Sequence, residues 1–151
     1  MPIREFRKGD EGACAEVIRK ALEADKTLSK EELEWLVKHE AEGTYLKKAG
    51  CLDSVIVFEE DERIVGVIGL KKNQLKSLYI LPEHQNKGIG TKLAKAIEQK
   101  ARQKGIKKIW MEANPDAIKF YERFGYKKVR NDIIKGTTLE IAIMEKQITS
   151  P

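Results

Sequence analysis

Two rhythms of hydrophobic and polar positions divide this chain. Between Asp10 and Leu22 the apolar residues Cys14, Val17, Ile18, Ala21 and Leu22 recur at the 3.6-residue period of a helix, with Asp10 placed to cap it. A second helix begins at Ser29, where Ser29 and Glu32 form a capping box and Leu33, Leu36 and Val37 supply the apolar stripe. Residues 40–53, punctuated by Gly43 and Gly50, fit neither rhythm. Strand-like segments then follow closely: Val55 to Glu59 and Arg63 to Leu70 about the acidic turn Glu60-Asp61-Glu62, and Leu75 to Leu81 after a turn at Lys72-Asn73, stopped by Pro82. The helical period returns from Gly88 to Gln103 (Ile89, Leu93, Ala94, Ile97, Ala101), with Gly105 as its stop. A strand over Lys107 to Glu112, a short helix over Asp116 to Phe124 and two strands near Tyr126 to Arg130 and Thr138 to Glu145 complete the series, after a first strand over Ile3 to Arg7. Hairpins beside crossover helices predict an α/β chain of the α+β type, with a mixed sheet covered on both faces.

Composition narrows the class. A chain of 151 residues fits one domain over residues 1–151, with a core that needs neither disulfides nor a structural metal. The longest apolar run, Ile64 to Leu70, is far shorter than the roughly 18 residues of a membrane span, so no membrane partner is expected. The first five residues lack a signal-peptide apolar region, and the expected location is the cytoplasm. Cys14 and Cys51 form no C-x-x-C, and His39 and His84 are the only histidines, so no metal site is expected. The high charged fraction, 35%, with four Asn and five Gln, is the pattern of a heat-adapted protein. Charge is unevenly placed: residues 1–62 hold 10 Lys and Arg against 16 Asp and Glu, and residues 63–151 hold 19 against 8. An anionic ligand for the later part and a cationic one for the earlier part would use this asymmetry; a solvated surface of mixed charge is the plainer reading. The basic residues are dispersed without interleaved aromatics, which argues against a nucleic-acid partner.

The most informative stretch runs from Leu78 to Thr91. A strand ends, a polar loop with Gly88 and Gly90 follows, and a helix begins at once. Backbone N–H groups of such a loop and of the first helical turn form an anion site, and glycine lets the backbone approach a phosphate. Lys92 and Lys95 stand in the first turns of that helix and no acid precedes Glu98, against the preference of the helix dipole; a bound diphosphate removes the conflict. No Walker loop is present. A dinucleotide fingerprint would place Leu93 where a small residue must pack. A helix start with two structural glycines remains the simplest competitor.

Two motifs extend the reading. Gln85-Asn86-Lys87-Gly88-Ile89-Gly90 resembles the Q/R-x-x-G-x-G/A motif of the GNAT superfamily of N-acetyltransferases. Asn114, followed by Ala117-Ile118-Lys119-Phe120-Tyr121-Glu122-Arg123-Phe124-Gly125-Tyr126, resembles the second signature of that family. One helix and one strand lie between them, and the order of elements agrees with the family from end to end. The resemblance implies a twisted, mostly antiparallel sheet of six to seven strands, splayed between the fourth and fifth, where acetyl-CoA binds.

Carried over residue by residue, Leu78, Tyr79 and Ile80 would offer backbone groups to the pantetheine and thioester. Gln85, Asn86, Lys87, Gly88, Ile89, Gly90 and Thr91 would hold the pyrophosphate, with Lys87 and Lys92 adding charge or simply standing in solvent. Tyr121 matches the tyrosine that protonates the departing thiolate, a role open to a phenol that keeps its proton at neutral pH; its spacing also suits a core aromatic. Asn114 would cap the short helix or bind the cofactor. Glu112 matches a proposed general base in relatives that acetylate ribosomal-protein N-termini, or is a structural carboxylate paired with Lys; Glu83, in the polar loop, is a weaker candidate. No covalent intermediate is expected at Cys14 or Cys51.

The implied function is transfer of an acetyl group to a primary amine, on a small molecule or a peptide N-terminus, in a ternary complex. A non-catalytic acyl-CoA-binding module is the alternative. The acids Glu23, Asp25, Glu31, Glu32, Glu34, Glu40 and Glu42 would favour a cationic acceptor if they face its site, and Trp35 and Tyr45 would line that site or pack. Residues 131–137 would form a loop over it. Homodimers are common in the family, and that association is left open here.

Overall fold

The computed structural model describes residues 2–47 and 51–148. Strand β1 (Ile3–Glu5) leads to helix α1 (Glu11–Glu23) and helix α2 (Lys30–Leu36), which widens without a break into a π-helical stretch over Val37–Leu46. Strands β2 (Ser54–Glu60), β3 (Arg63–Lys71) and β4 (Gln74–Ile80) follow, then helix α3 (Ile89–Gln103), β5 (Lys108–Ala113), α4 (Ile118–Arg123), β6 (Lys127–Ile133) and β7 (Glu140–Gln147). The strands form one seven-stranded sheet in the order β1-β2-β3-β4-β5-β7-β6, antiparallel except for β4 beside β5. The expected mixed sheet and its fold class are therefore observed. Gly50, which punctuates the ambiguous residues 40–53, lies outside the described residues.

Local chemistry explains the elements, with one correction. The Ser29–Glu32 capping box is formed in both directions. Asp10 does not cap α1 with its side chain. Its carboxylate accepts from the Arg7 N–H at 2.9 Å and from the Arg4 guanidinium at 2.8 and 3.2 Å, charge-assisted bonds that win over a helix N–H. Arg4 also donates to Glu59, which ties β1 to β2 and to the start of α1. The ambiguity at residues 40–53 is explained by the π-helical turn. Gly43 suits it because a Cβ there would stand 3.0 Å from the Lys38 carbonyl oxygen. Asp61 and Glu62, both left-handed, make the β2–β3 turn.

Helices α1 and α3 both pack on β3 and β4, and every β3 residue from Ile64 to Leu70 is buried, so the two helices cover opposite faces. One charged group lies inside. Glu98 of α3 is 2% exposed; it accepts from the Tyr126 hydroxyl at 2.9 Å and from Lys146 Nζ at 2.9 and 3.1 Å. That cluster fastens α3 to β7 and to the chain leaving α4. Among the described residues, no helix is long and apolar enough to cross a membrane.

Candidate active site

The parallel pair is where the sheet opens. Gln74 opposite Trp110 is the single register pair between β4 and β5 among the described residues. Beyond it β4 is bulged: the register against β3 slips between Val67 and Gly69, and Ser77 has φ +60°. The bulge turns the strand away from β5 and leaves main-chain groups of its last residues without a β5 partner. The expected splay between the fourth and fifth strands is present.

A cleft of about 680 Å³ lies on one side of the opening. Leu78, Tyr79 and Ile80 form its strand wall, and Gln85, Asn86, Gly88, Gly90 and Thr91 form its loop wall. Gly88 is left-handed at φ +82° and caps α3 without a side chain; no acid occupies the first turn. The N–H groups at the start of a 15-residue helix thus stand without intrahelical partners. An added Cβ at Gly88 would meet nothing within 4 Å. Gly90 lines the cleft and is also closely packed: a Cβ there would stand 3.3 Å from Ile80 Cδ1 and 3.5 Å from Phe120 Cζ, so its smallness also serves packing of α3 against β4 and α4.

The other loop residues divide clearly. Gln85 Nε2 donates back to the Ile80 carbonyl at 3.1 Å, which fixes the loop on the strand end. The Ile89 side chain is buried in the core, leaving only its main chain for a ligand. Lys87 is exposed and does not line the cleft. Lys92 stands away from it, with Nζ 5.9 Å from the Phe58 ring centre. The basic residue that does line the cleft is Arg123, inside the second motif but not singled out by it; the last turn of α1 at Ala21 and Leu22, with Ala24 and Asp25 just after it, also lines the cleft.

A smaller cavity of about 120 Å³ lies on the other side. It shares Leu78, Tyr79, Asn114 and Ala117 with the cleft, so the two meet at the splay. Tyr121 lines it. The ring is 7% exposed and packs edge-on against Phe120 and Tyr126 at 5.1 and 5.6 Å, and burial pushes its phenol well above the usual value. The group thus holds its proton at any neutral pH. Asn114 precedes the short turn Pro115–Ala117, yet its side chain caps nothing and is exposed to both cavities.

Glu112 lies on the exposed face of β5 with Lys108 and Trp110, as alternation predicts, and lines the smaller cavity. Lys108 pairs with Glu145 at 3.4 Å; no hydrogen bond or ion pair holds Glu112 among the described residues. Glu83 faces Arg63 at 3.9 Å, outside either cavity. Of the seven acids on the first helices, only Glu40 reaches the smaller cavity. Trp35 stacks on His39 at 4.0 Å and Tyr45 packs beside Phe6, so neither lines it. The segment read as a loop over residues 131–137 is partly β6, and only Ile134 of it reaches the cavity. Cys14 is fully buried with its thiol pushed up to about 12, and is no nucleophile at neutral pH.

Residues 15–126 match the Acetyltransferase (GNAT) family. The chain belongs to that family. Among curated proteins, the probable N-acetyltransferase camello of Xenopus laevis is 34% identical over 82 residues, 48% of this chain and 37% of that protein, so the match spans little more than a third of the relative's length. Among solved structures, a GCN5-related N-acetyltransferase from Rhodopseudomonas palustris superposes with a TM-score of 0.86 at 21% identity, covering 96% of this chain and 94% of that one. The PaiA N-acetyltransferase of Thermoplasma acidophilum, in complex with coenzyme A, gives 0.78 at 24%, covering 96% and 97%. At these identities the likeness is one of fold. In this GNAT chain both signature segments border the splay, the first as the wall of the larger cleft and the second as the floor between the cavities.

Proposed function

We propose that this protein is an N-acetyltransferase that moves the acetyl group of acetyl-CoA to a primary amine by direct attack in a ternary complex. The observation that carries the reading is the pair of cavities meeting at Leu78, Tyr79, Asn114 and Ala117, with Tyr121 lining the smaller of them. When bound, acetyl-CoA supplies an activated acetyl thioester. The larger cleft fits it by its chemistry: unpaired helix N–H groups, a left-handed Gly88 and Arg123 on the rim suit a pyrophosphate, and the free edge of β4 suits pantetheine amides. Main-chain N–H groups near Leu78 would serve as donors to the thioester oxyanion.

The smaller cavity is the acceptor side in this reading. Glu112 takes the proton that an incoming ammonium must lose, and the neutral nitrogen then attacks the carbonyl carbon. As the C–N bond forms and the C–S bond breaks, Tyr121 gives its phenolic proton to the leaving sulfur and recovers one from solvent, to which the amide nitrogen has released its own. Tyr121 carries its proton at neutral pH, as a general acid must, while its burial also makes the phenol a weaker acid than usual.

Amine-dependent release of CoA thiol, followed in the steady state over a panel of primary amines, tests the reading. Turnover with any of them supports it. Tight acetyl-CoA binding without thiol release from any amine would instead make the chain a non-catalytic acyl-CoA-binding module.

A further inference from the structure

The smaller cavity also describes what it admits. Its volume of about 120 Å³ holds about four water-sized groups. Leu36, Leu78, Met111, Ala113, Ile134 and Ile141 give it alkyl walls, drawn from the α2 helix, both splayed strands, the segment between β6 and β7, and β7 itself. Its charged lining is Glu40, Glu112 and Lys76, a net of one negative charge. A narrow alkyl-walled space with one uncompensated negative charge suits a slim chain ending in a single ammonium. Its small volume favours such a chain over a sugar ring or over the branched carbon and carbonyl beside a peptide's α-amine.

Glu40 is the residue that the reaction as described leaves unused. It projects from the π-helical stretch toward the β4 bulge, where the Ser77 hydroxyl donates to its Oε2 in a long contact of 3.4 Å. No ion pair neutralises it among the described residues. The groups around it are Lys76 and Ser77 on β4, Glu112 on β5, His39 on its own helix, and Tyr45 and Tyr79. Burial raises the proton affinity of its carboxyl and Glu112 adds to this, whereas Lys76, the Ser77 hydroxyl and His39 oppose it. A carboxylate so placed is costly unless a cation meets it.

We propose that Glu40 is the specificity-determining residue of the acceptor site, receiving the ammonium of a primary amine on an unbranched alkyl chain and handing it to Glu112 and the thioester. This inference rests on the N-acetyltransferase reading above. It assigns the ε-type alkylamine, the end of a lysine-like or small aliphatic amine, in preference to a peptide α-amine.

The test uses n-butylamine and trialanine as acceptors, with wild-type protein and Glu40→Gln. The expected results are a kcat/KM for n-butylamine at least tenfold above that for trialanine, and a KM for n-butylamine raised about tenfold in Glu40→Gln, with kcat, acetyl-CoA affinity and melting temperature nearly unchanged. Glu40→Asp should recover part of the loss. Calorimetric titration of n-butylamine into CoA-saturated protein reads the same site without turnover. A preference for trialanine, or equal n-butylamine binding by wild type and Glu40→Gln, overturns the proposal. Should Glu40→Gln fail to fold, the wild-type preference between the two amines still decides it. Failure of CoA itself to bind would overturn the enzyme reading instead.

Discussion

The two cavities that meet at Leu78 and Tyr79 are made of different materials. The larger takes its strand and loop walls from the continuous stretch Leu78 to Thr91, with a bulged strand edge, a left-handed glycine and the open N-terminus of α3. It is closed by the last turn of α1, the residues just after it and the segment from Asn114 to Arg123. The smaller is built from side chains that the fold gathers from the helix at Glu40, the bulge at Ser77, the strand at Glu112 and the segment at Ile134. A ligand common to a whole family can be held by main-chain geometry, which tolerates sequence change. A ligand particular to one member needs side chains, and those come from segments distant in sequence.

That difference decides how much could be read in advance. The strand–loop–helix around Gly88 and the Tyr121 segment are local patterns, and both border the splay as expected. Glu40 looked like six other acids on solvated helices, and nothing in the spacing marks which of them turns inward across a π-helical turn. Arg123 was overlooked because its surroundings read as a core helix, although it lines the larger cleft. Asp10 misled in the opposite direction, since the capping pattern carries no sign of the Arg4 guanidinium that captures its carboxylate. The packing of Gly90 is not legible locally, since its neighbours Ile80 and Phe120 are ten and thirty residues away.

The comparison can be broken most forcibly at its foundation. Lys146→Met leaves the Glu98 carboxylate buried without its ammonium and should cost about 3 kcal/mol of stability. Chemical denaturation will show this, and a change below about 1 kcal/mol would mean that Arg102, whose Nη2 already stands 3.5 Å from Glu98 Oε1, or water holds the charge. Next in size is Tyr121→Phe. It should lower kcat about 100-fold and leave acetyl-CoA affinity within about twofold, because the ring's packing is kept and only the proton is lost; an unchanged kcat would show that water protonates the thiolate.

Gly88→Val sharpens the contrast on the cofactor side. A β-branched residue is disfavoured at φ +82°, and the strained loop should weaken acetyl-CoA binding about tenfold. Its readouts are calorimetry for affinity and circular dichroism for the retained fold. The smallest effect is expected of Arg123→Ala on the exposed rim, a two- to threefold loss of affinity that shrinks with added salt. A tenfold loss there would mean that a side chain, and not the backbone, carries the phosphate site.

The central claim is that the larger cleft, walled by the stretch from Leu78 to Thr91, binds acetyl-CoA. Isothermal titration of the wild-type protein with acetyl-CoA, with NAD as control, tests it most directly. One-site binding of acetyl-CoA without binding of NAD is the predicted result. Folded protein that gives no heat with acetyl-CoA would contradict the account and reduce Gly88, Gly90 and Tyr121 to elements of a structural core.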